Sequence, residues 1–143
     1  MDNPISETDG KTFEGGCHCG AIRFRVTGPL RQILVCHCSD CLKITGTSWG
    51  ATAVHQDDFT FLTEARPRWY RSSEWAERGF CEICGSQMLY RRDNAPLVSI
   101  APGALDNSDG LTVSGQIFAD SHPAWGPLCT GLEDLDKTYP RGE

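Results

Sequence analysis

No apolar run in this chain approaches the roughly 18 residues that a membrane-spanning helix needs. The opening Met1–Gly10, MDNPISETDG, has neither the basic stretch nor the apolar stretch of an export signal, so the sequence reads as cytosolic, or cytoplasmic in the broader term. A basic surplus is also missing: 13 Lys and Arg stand against 19 Asp and Glu, a formal net charge of −6. That balance opposes sequence-independent attraction to nucleic acid or to anionic membrane surfaces, and no stripe of interleaved basic and aromatic side chains offsets it. Long amphipathic helical stripes are absent too. Helical signal is confined to Cys38–Lys43 and Leu132–Tyr139, and no linker or low-complexity run interrupts Lys11–Gly126. With 143 residues the chain holds one domain, taken as 11–143 behind a disordered segment 1–10.

Cysteine, by contrast, is plentiful, and its placement is more informative than the count of eight. Seven fall in three tight groups: Cys17 and Cys19 in GGCHCGA, Cys36, Cys38 and Cys41 in VCHCSDCLK, and Cys81 and Cys84 in FCEICGS; Cys129 stands alone. Disulfides or inert buried thiols are the plainer alternative. However, a chain of this length without an export signal needs no such staples, and cysteines one residue apart suit a shared ion better than a mutual bond. Zinc is the default ion for soft thiolates in a tetrahedral cage, with iron in a rubredoxin-like cage the runner-up.

Seven clustered cysteines divide into four plus three. Cys17-His18-Cys19-Gly20 and Cys81-Glu82-Ile83-Cys84-Gly85 look like matched halves, each closed by a glycine free to adopt the positive φ a metal knuckle needs. Pairing them builds a closed, structural four-thiolate site. Cys36, Cys38 and Cys41 then offer three thiolates from one loop and leave a fourth position open, the pattern of a catalytic ion. Counting alone leaves open a partition in which Cys17 and Cys19 join two of the middle group. It also leaves open a middle site closed by Cys129, His37 or Asp40. His18 and His37 lie between cysteines and read as flanking residues.

Ile22, Phe24 and Val26 alternate with Arg23, Arg25 and Thr27, the period of a half-buried strand, and Gly28-Pro29 turns the chain. Further strand-like stretches are Ile33–Val35, Ser48–Val54, Phe59–Leu62, Arg68–Arg71, Gln87–Arg91, Leu97–Ile100 and Leu111–Phe118. The fold class is mainly β, with two small sheets, each starting from a knuckle, clasped by zinc.

The series GGCHCGAIRF at Gly15–Phe24, CHCSDCLKITG at Cys36–Gly46, RGFCEICGS at Arg78–Ser86 and IFADSHPAW at Ile117–Trp125 together resemble the glutathione-dependent formaldehyde-activating enzyme family, which includes centromere protein V. The resemblance implies an Mss4-like, β-tent fold. It implies a structural zinc on Cys17, Cys19, Cys81 and Cys84, a catalytic zinc on Cys36, Cys38 and Cys41, and hence two ions per chain. It further implies a carbon–sulfur lyase-type activity that joins glutathione to formaldehyde as S-hydroxymethylglutathione. The expected partners are a small-molecule thiol or aldehyde, with glutathione as co-substrate, in a monomer or homodimer. A non-catalytic zinc-binding module and a glutathione carrier are the alternatives.

The chemistry can be reasoned from the residues as well. Three thiolates overcompensate a +2 ion by one charge, so binding and acidifying an incoming thiol suits the middle site better than polarising a carbonyl. His37, Asp40 and His55 are candidate proton acceptors by type; their plainer readings are a flanking residue, a loop hydrogen-bonder and a surface residue. Trp49, Trp69, Trp75 and Trp125 could line an apolar cavity, though most tryptophans in a small domain are core. Arg66, Arg68, Arg71, Arg78, Arg91 and Arg92 could meet the carboxylates of a glutathione-like anion, against the plainer reading of a solvated strand face.

Overall fold

The computed structural model describes residues 7–125. Ten strands and one short helix follow in order: β1 (Thr12–Gly16), β2 (Arg23–Thr27), β3 (Arg31–Cys36), α1 (Ser39–Thr45), β4 (Trp49–His55), β5 (Phe59–Phe61), β6 (Arg68–Arg71), β7 (Ala76–Phe80), β8 (Gln87–Arg92), β9 (Leu97–Ile100) and β10 (Val113–Ile117). They form a three-stranded sheet, β1-β2-β5, and a seven-stranded sheet, β10-β3-β4-β9-β8-β7-β6. Only the β10–β3 pair is parallel among the described strands.

The mainly β class stands. The sheets are unequal, and each knuckle is the turn inside a hairpin, Cys17–Gly20 between β1 and β2 and Cys81–Gly85 between β7 and β8, where the sequence had suggested that a sheet starts from each. Two strands escaped the alternation reading. β1, T-F-E-G-G, has one large apolar residue, and β7, A-E-R-G-F, has a charged pair at its centre. Both exist because they fill a register, Glu14 opposite Arg25 and Arg78 opposite Tyr90. The expected helix at Cys38–Lys43 is found as Ser39–Thr45, and the one at Leu132–Tyr139 lies outside the described residues. On the N-terminal side of Lys11, Thr8 is fully buried, and its hydroxyl bonds to the Leu30 backbone.

Because successive strand residues point to opposite faces, the large sheet sorts its residues into two rows. Thr52, Ile100, Leu89, Gly79 and Trp69 follow one another across five strands on one face, and Ala53, Ser99, Tyr90, Arg78 and Tyr70 on the other. The first face joins the core. Leu89, Ile100 and Val54 pack there with Phe13, Phe24 and Val26 of the small sheet, and Phe24 stacks on Phe59 with ring centroids 4.9 Å apart. The second face is left to the functional site.

The small sheet meets the rest of the chain at Gly15, which bridges to Leu105; a Cβ at Gly15 would fall on the Ala104 carbonyl. Backbone stands in the way, so relaxation is costly, and overpacking of this kind destabilises by about 1–3 kcal/mol. Gly15→Ala is expected to lower the urea midpoint without changing the slope of the transition. An unmoved midpoint would show that the contact yields.

Candidate functional site

Each knuckle forms for local reasons. Gly20 and Gly85 take φ +82 and +81, the left-handed region where a side chain is strained. In the first, the Gly20 N–H donates to the Cys17 carbonyl at 3.1 Å and the Ile22 N–H to the Cys17 sulfur at 3.3 Å. In the second, the Gly85 N–H donates to the Cys81 carbonyl at 2.7 Å and the Cys84 N–H to the Cys81 sulfur at 3.5 Å. The two knuckles face each other, and the His18 N–H donates to the Ser86 hydroxyl at 2.9 Å. The sulfurs of Cys17, Cys19, Cys81 and Cys84 lie within 4.8 Å of one another. Cys17 to Cys19 is 3.6 Å and Cys19 to Cys81 is 3.8 Å. The Ser86 hydroxyl, 3.2 Å from the Cys84 sulfur, is the main cause that brings that thiol down to about 5.

The second group sits where β3 gives way to α1. Cys36 ends the strand, and Cys38 is the helix N-cap, its sulfur accepting from the Cys41 N–H at 3.3 Å. Cys41 follows three residues later, a spacing that places both sulfurs on one side of the turn. These three sulfurs also lie within 4.8 Å of one another. Hydrogen bonds from Cys36 and then Cys41 hold the Cys38 thiol down at about 2, and the Cys38 contact drives Cys36 up. Either group could hold a metal ion.

Among the described residues no histidine or carboxylate joins either group. His37 is buried, with Nε2 3.0 Å from the Gln116 side-chain oxygen. His18 is exposed. His55 is 46% exposed, its Nδ1 accepting from the Asp57 N–H. Cys129 lies outside the described residues.

A cavity of about 510 Å³ opens over Cys36, Cys38 and Cys41. Its apolar walls include Trp49, Trp75, Leu97 and Phe118, and Asp40 is the one carboxylate lining it among the described residues. Two of the four tryptophans thus serve the cavity. Trp69 instead packs on the core, and Trp125 is 68% exposed. Phe118 holds φ 55, a strained conformation at the cavity wall.

The structure also separates the arginines. Arg71 pairs with Asp93, Arg68 with Glu82 and Arg91 with Glu77, while Arg66 donates to backbone carbonyls. Arg23 and Arg25, which alternate with the apolar residues of β2, pair with Asp106 and Glu14 at the surface. Arg78 differs from all of these. It is 3% exposed, lies between the Trp49 and Tyr90 rings, and donates from Nη2 to the Cys41 sulfur at 3.4 Å. Its Nε and Nη1 are buried with no hydrogen-bond partner among the described residues. Burial pushes the Tyr90 phenol up, keeping it a neutral hydroxyl. The sequence offered Arg78 only as one of six; its position three residues before Cys81 of the second knuckle was the available signal.

No helix of the described residues is long and apolar enough to cross a membrane. A family model described as glutathione-dependent formaldehyde-activating enzyme matches residues 12–121. A Halomonas elongata protein, provisionally named a glutathione-dependent formaldehyde-activating enzyme, is 35% identical over 86 residues, covering 53% of this chain and 54% of that protein. The match therefore spans about half the length of that relative. An uncharacterized lyase of Schizosaccharomyces pombe is 26% identical over 112 residues, 78% of this chain and 81% of the lyase. The crystal structure of a Rhodobacter sphaeroides protein shares the fold, with a TM-score of 0.56 at 23% identity over 68% of this chain and 91% of that one. The family match runs through both knuckles and the middle cysteines, and the chain belongs to the glutathione-dependent formaldehyde-activating enzyme family.

Proposed function

We propose that this protein is a zinc-dependent enzyme of carbon–sulfur chemistry that adds glutathione to formaldehyde, giving S-hydroxymethylglutathione, or runs that step in reverse. The observation carrying this reading is a three-cysteine group at the floor of a 510 Å³ cavity, beside a separate four-cysteine group, in a chain of this family. Cys17, Cys19, Cys81 and Cys84 would hold one Zn²⁺ as a closed set. Cys36, Cys38 and Cys41 would hold a second with one position open. The donor set fits: a tetrahedral ion with metal–sulfur distances of about 2.3 Å puts sulfurs about 3.8 Å apart, against 3.6 and 3.8 Å between the sulfurs of the four-cysteine group.

Bound at the middle site, the ion supplies a lowered thiol pKa. The protein's own side chains do the rest. Trp49, Trp75 and Phe118 keep water from the thiol sulfur. Asp40 is the cavity carboxylate whose oxygen takes the thiol proton. The sulfur then bonds to the aldehyde carbon as the carbonyl π pair moves onto oxygen, and that oxygen takes the proton from Asp40 to become the hydroxyl. A reducing, cytoplasmic setting suits the seven described cysteines, all free thiols.

Metal analysis of protein purified without added zinc is expected to give two Zn²⁺ per chain, with glutathione perturbing one site alone. Turnover of glutathione with formaldehyde, followed as loss of free thiol, should accompany it. One ion per chain, or two that ignore thiol with no rate above the free reaction, would leave a structural module in place of an enzyme.

A further inference from the structure

Arg78 is a buried charged side chain to which the proposed chemistry gives no task. At 3% exposure it is closed off from any ligand in the cavity beside it, so it can act only through a neighbour. Among the described residues Arg23, Arg25, Arg68, Arg71 and Arg91 each pair with a carboxylate, and Arg78 does not. Its Nη2 instead donates at 3.4 Å to the sulfur of Cys41, which is buried as well. A guanidinium taken out of water with no anion beside it is costly. The sulfurs of the middle group are the atoms placed to answer it.

The strand ladders fix that contact. Trp49 stands opposite Cys36 in the β3–β4 pair, and Tyr90 stands opposite Arg78 in the β7–β8 pair. The two rings lie 6.3 Å apart, with the guanidinium carbon 5.5 Å from the Trp49 centroid and 5.2 Å from that of Tyr90. One ring is set by the cysteine strand and the other by the arginine's own rung, and together they hold the guanidinium against the cysteines. Arg31 and Arg92 also line the cavity, but both are partly exposed, where water screens their charge. Arg78 has no such screening.

Charge gives the contact its consequence. Three thiolates around a +2 ion leave one negative charge, and Arg78 brings one positive charge to the same buried place. A thiolate arriving at the open position then joins a neutral group; without Arg78 it would join one that is already negative and poorly screened.

We propose that Arg78 is a positioning residue of the middle site: through Cys41 it supplies the positive charge that lets three thiolates share one ion and lets that ion accept a further thiolate. This rests on the function proposed above and adds a residue role to it. Its Nε and Nη1, buried without hydrogen-bond partners among the described residues, mark the placement as costly, and tighter holding of the ion offsets that cost.

The test is ion retention by the folded holoprotein against a graded series of a zinc chelator, read by metal analysis. Cys38→Ser, which leaves the four-cysteine set intact, identifies the release that belongs to that set. Arg78→Met, an apolar chain in the same channel, should give up the other ion at about 10–100-fold lower chelator than wild type, the range for losing a partner outside a metal's direct ligands. Arg78→Lys keeps the charge and should recover most of the difference, which a space-filling role would not produce. Both variants should keep the far-UV circular dichroism and the four-cysteine ion. With Co²⁺ in place of zinc, the absorption change caused by 2-mercaptoethanol should require more thiol in Arg78→Met than in wild type. Four results overturn the assignment: wild-type retention by Arg78→Met, Arg78→Lys no tighter than Arg78→Met, equal thiol demand, or loss of both ions from Arg78→Met, which would mean a part in the fold itself. Each leaves the proposed function standing while wild-type protein carries two ions. Wild-type protein with one ion, or with a second that ignores thiol, removes the function and the assignment together.

Discussion

Replacing Cys81 by serine is expected to abolish the cooperative unfolding transition at ambient temperature and to release the metal ion proposed for the four-cysteine site. Cys81 is buried at 1% exposure, it begins the β7–β8 turn, and its sulfur is 3.8 Å from that of Cys19 in the other sheet's hairpin. The knuckles are 62 residues apart in the chain, so an ion across them closes a long loop and joins the two sheets at one point. Structural zinc sites contribute apparent binding energies of about 10–16 kcal/mol, of the same order as the roughly 5–15 kcal/mol net stability of a whole domain. Losing a ligand of such a site therefore removes energy of the order that the fold holds in reserve. Chelation of the wild-type protein should reproduce the loss, and readdition of zinc should reverse it. A Cys81→Ser protein that melts at the wild-type temperature would show that apolar packing of Phe24, Val26, Leu89 and Ile100 suffices by itself.

Cys38→Ser is expected to separate the two sites. Serine is among the best helix N-caps, so its hydroxyl takes over the role in which the Cys38 sulfur accepts from the Cys41 N–H. The start of α1 survives, and the thermal midpoint should move little. The thiolate does not survive. One zinc per chain should be lost, and glutathione–formaldehyde turnover should fall by more than about 100-fold, beyond the 10–100-fold typical of losing a supporting residue outside a metal's direct ligands. Full turnover with one zinc lost would place the chemistry elsewhere, and both zincs retained would place the second ion elsewhere.

The cysteine arrangement was legible in the sequence because its information is local. Spacing of one or two residues, with Gly20 and Gly85 after the last sulfur, sets the knuckle through contacts within the turn itself. The geometry agrees, bringing Cys17 and Cys19 to Cys81 and Cys84 and leaving Cys36, Cys38 and Cys41 apart. The strands with clean alternation, such as Arg23–Thr27, were legible for the same reason. β1 and β7 were not, since Gly-rich or charged stretches become strands only when a partner supplies the ladder. The functional difference between Arg78 and Arg91 was hidden likewise. Both are strand arginines, and only the pairing of Arg78 with Tyr90 and of Arg91 with Glu77 decides which face each takes. A cavity assembled from β3, α1, β4, β7 and β8 has no signature in any one segment.

The separation of the knuckles by 62 residues also bears on how the protein is made. A ribosome that has released the chain through Phe80 has delivered five cysteines, Cys17, Cys19, Cys36, Cys38 and Cys41, and neither Cys81 nor Cys84. At that stage every four-thiolate set mixes the first knuckle with the middle group, a partition that the finished fold does not use. If the four-cysteine site holds an ion as proposed, an ion bound early by a mixed set would have to pass to Cys81 and Cys84 by thiolate exchange, or the ion would arrive after the second knuckle. For a chain that holds zinc in this way, the timing of metal delivery relative to translation becomes part of what determines the yield of competent protein.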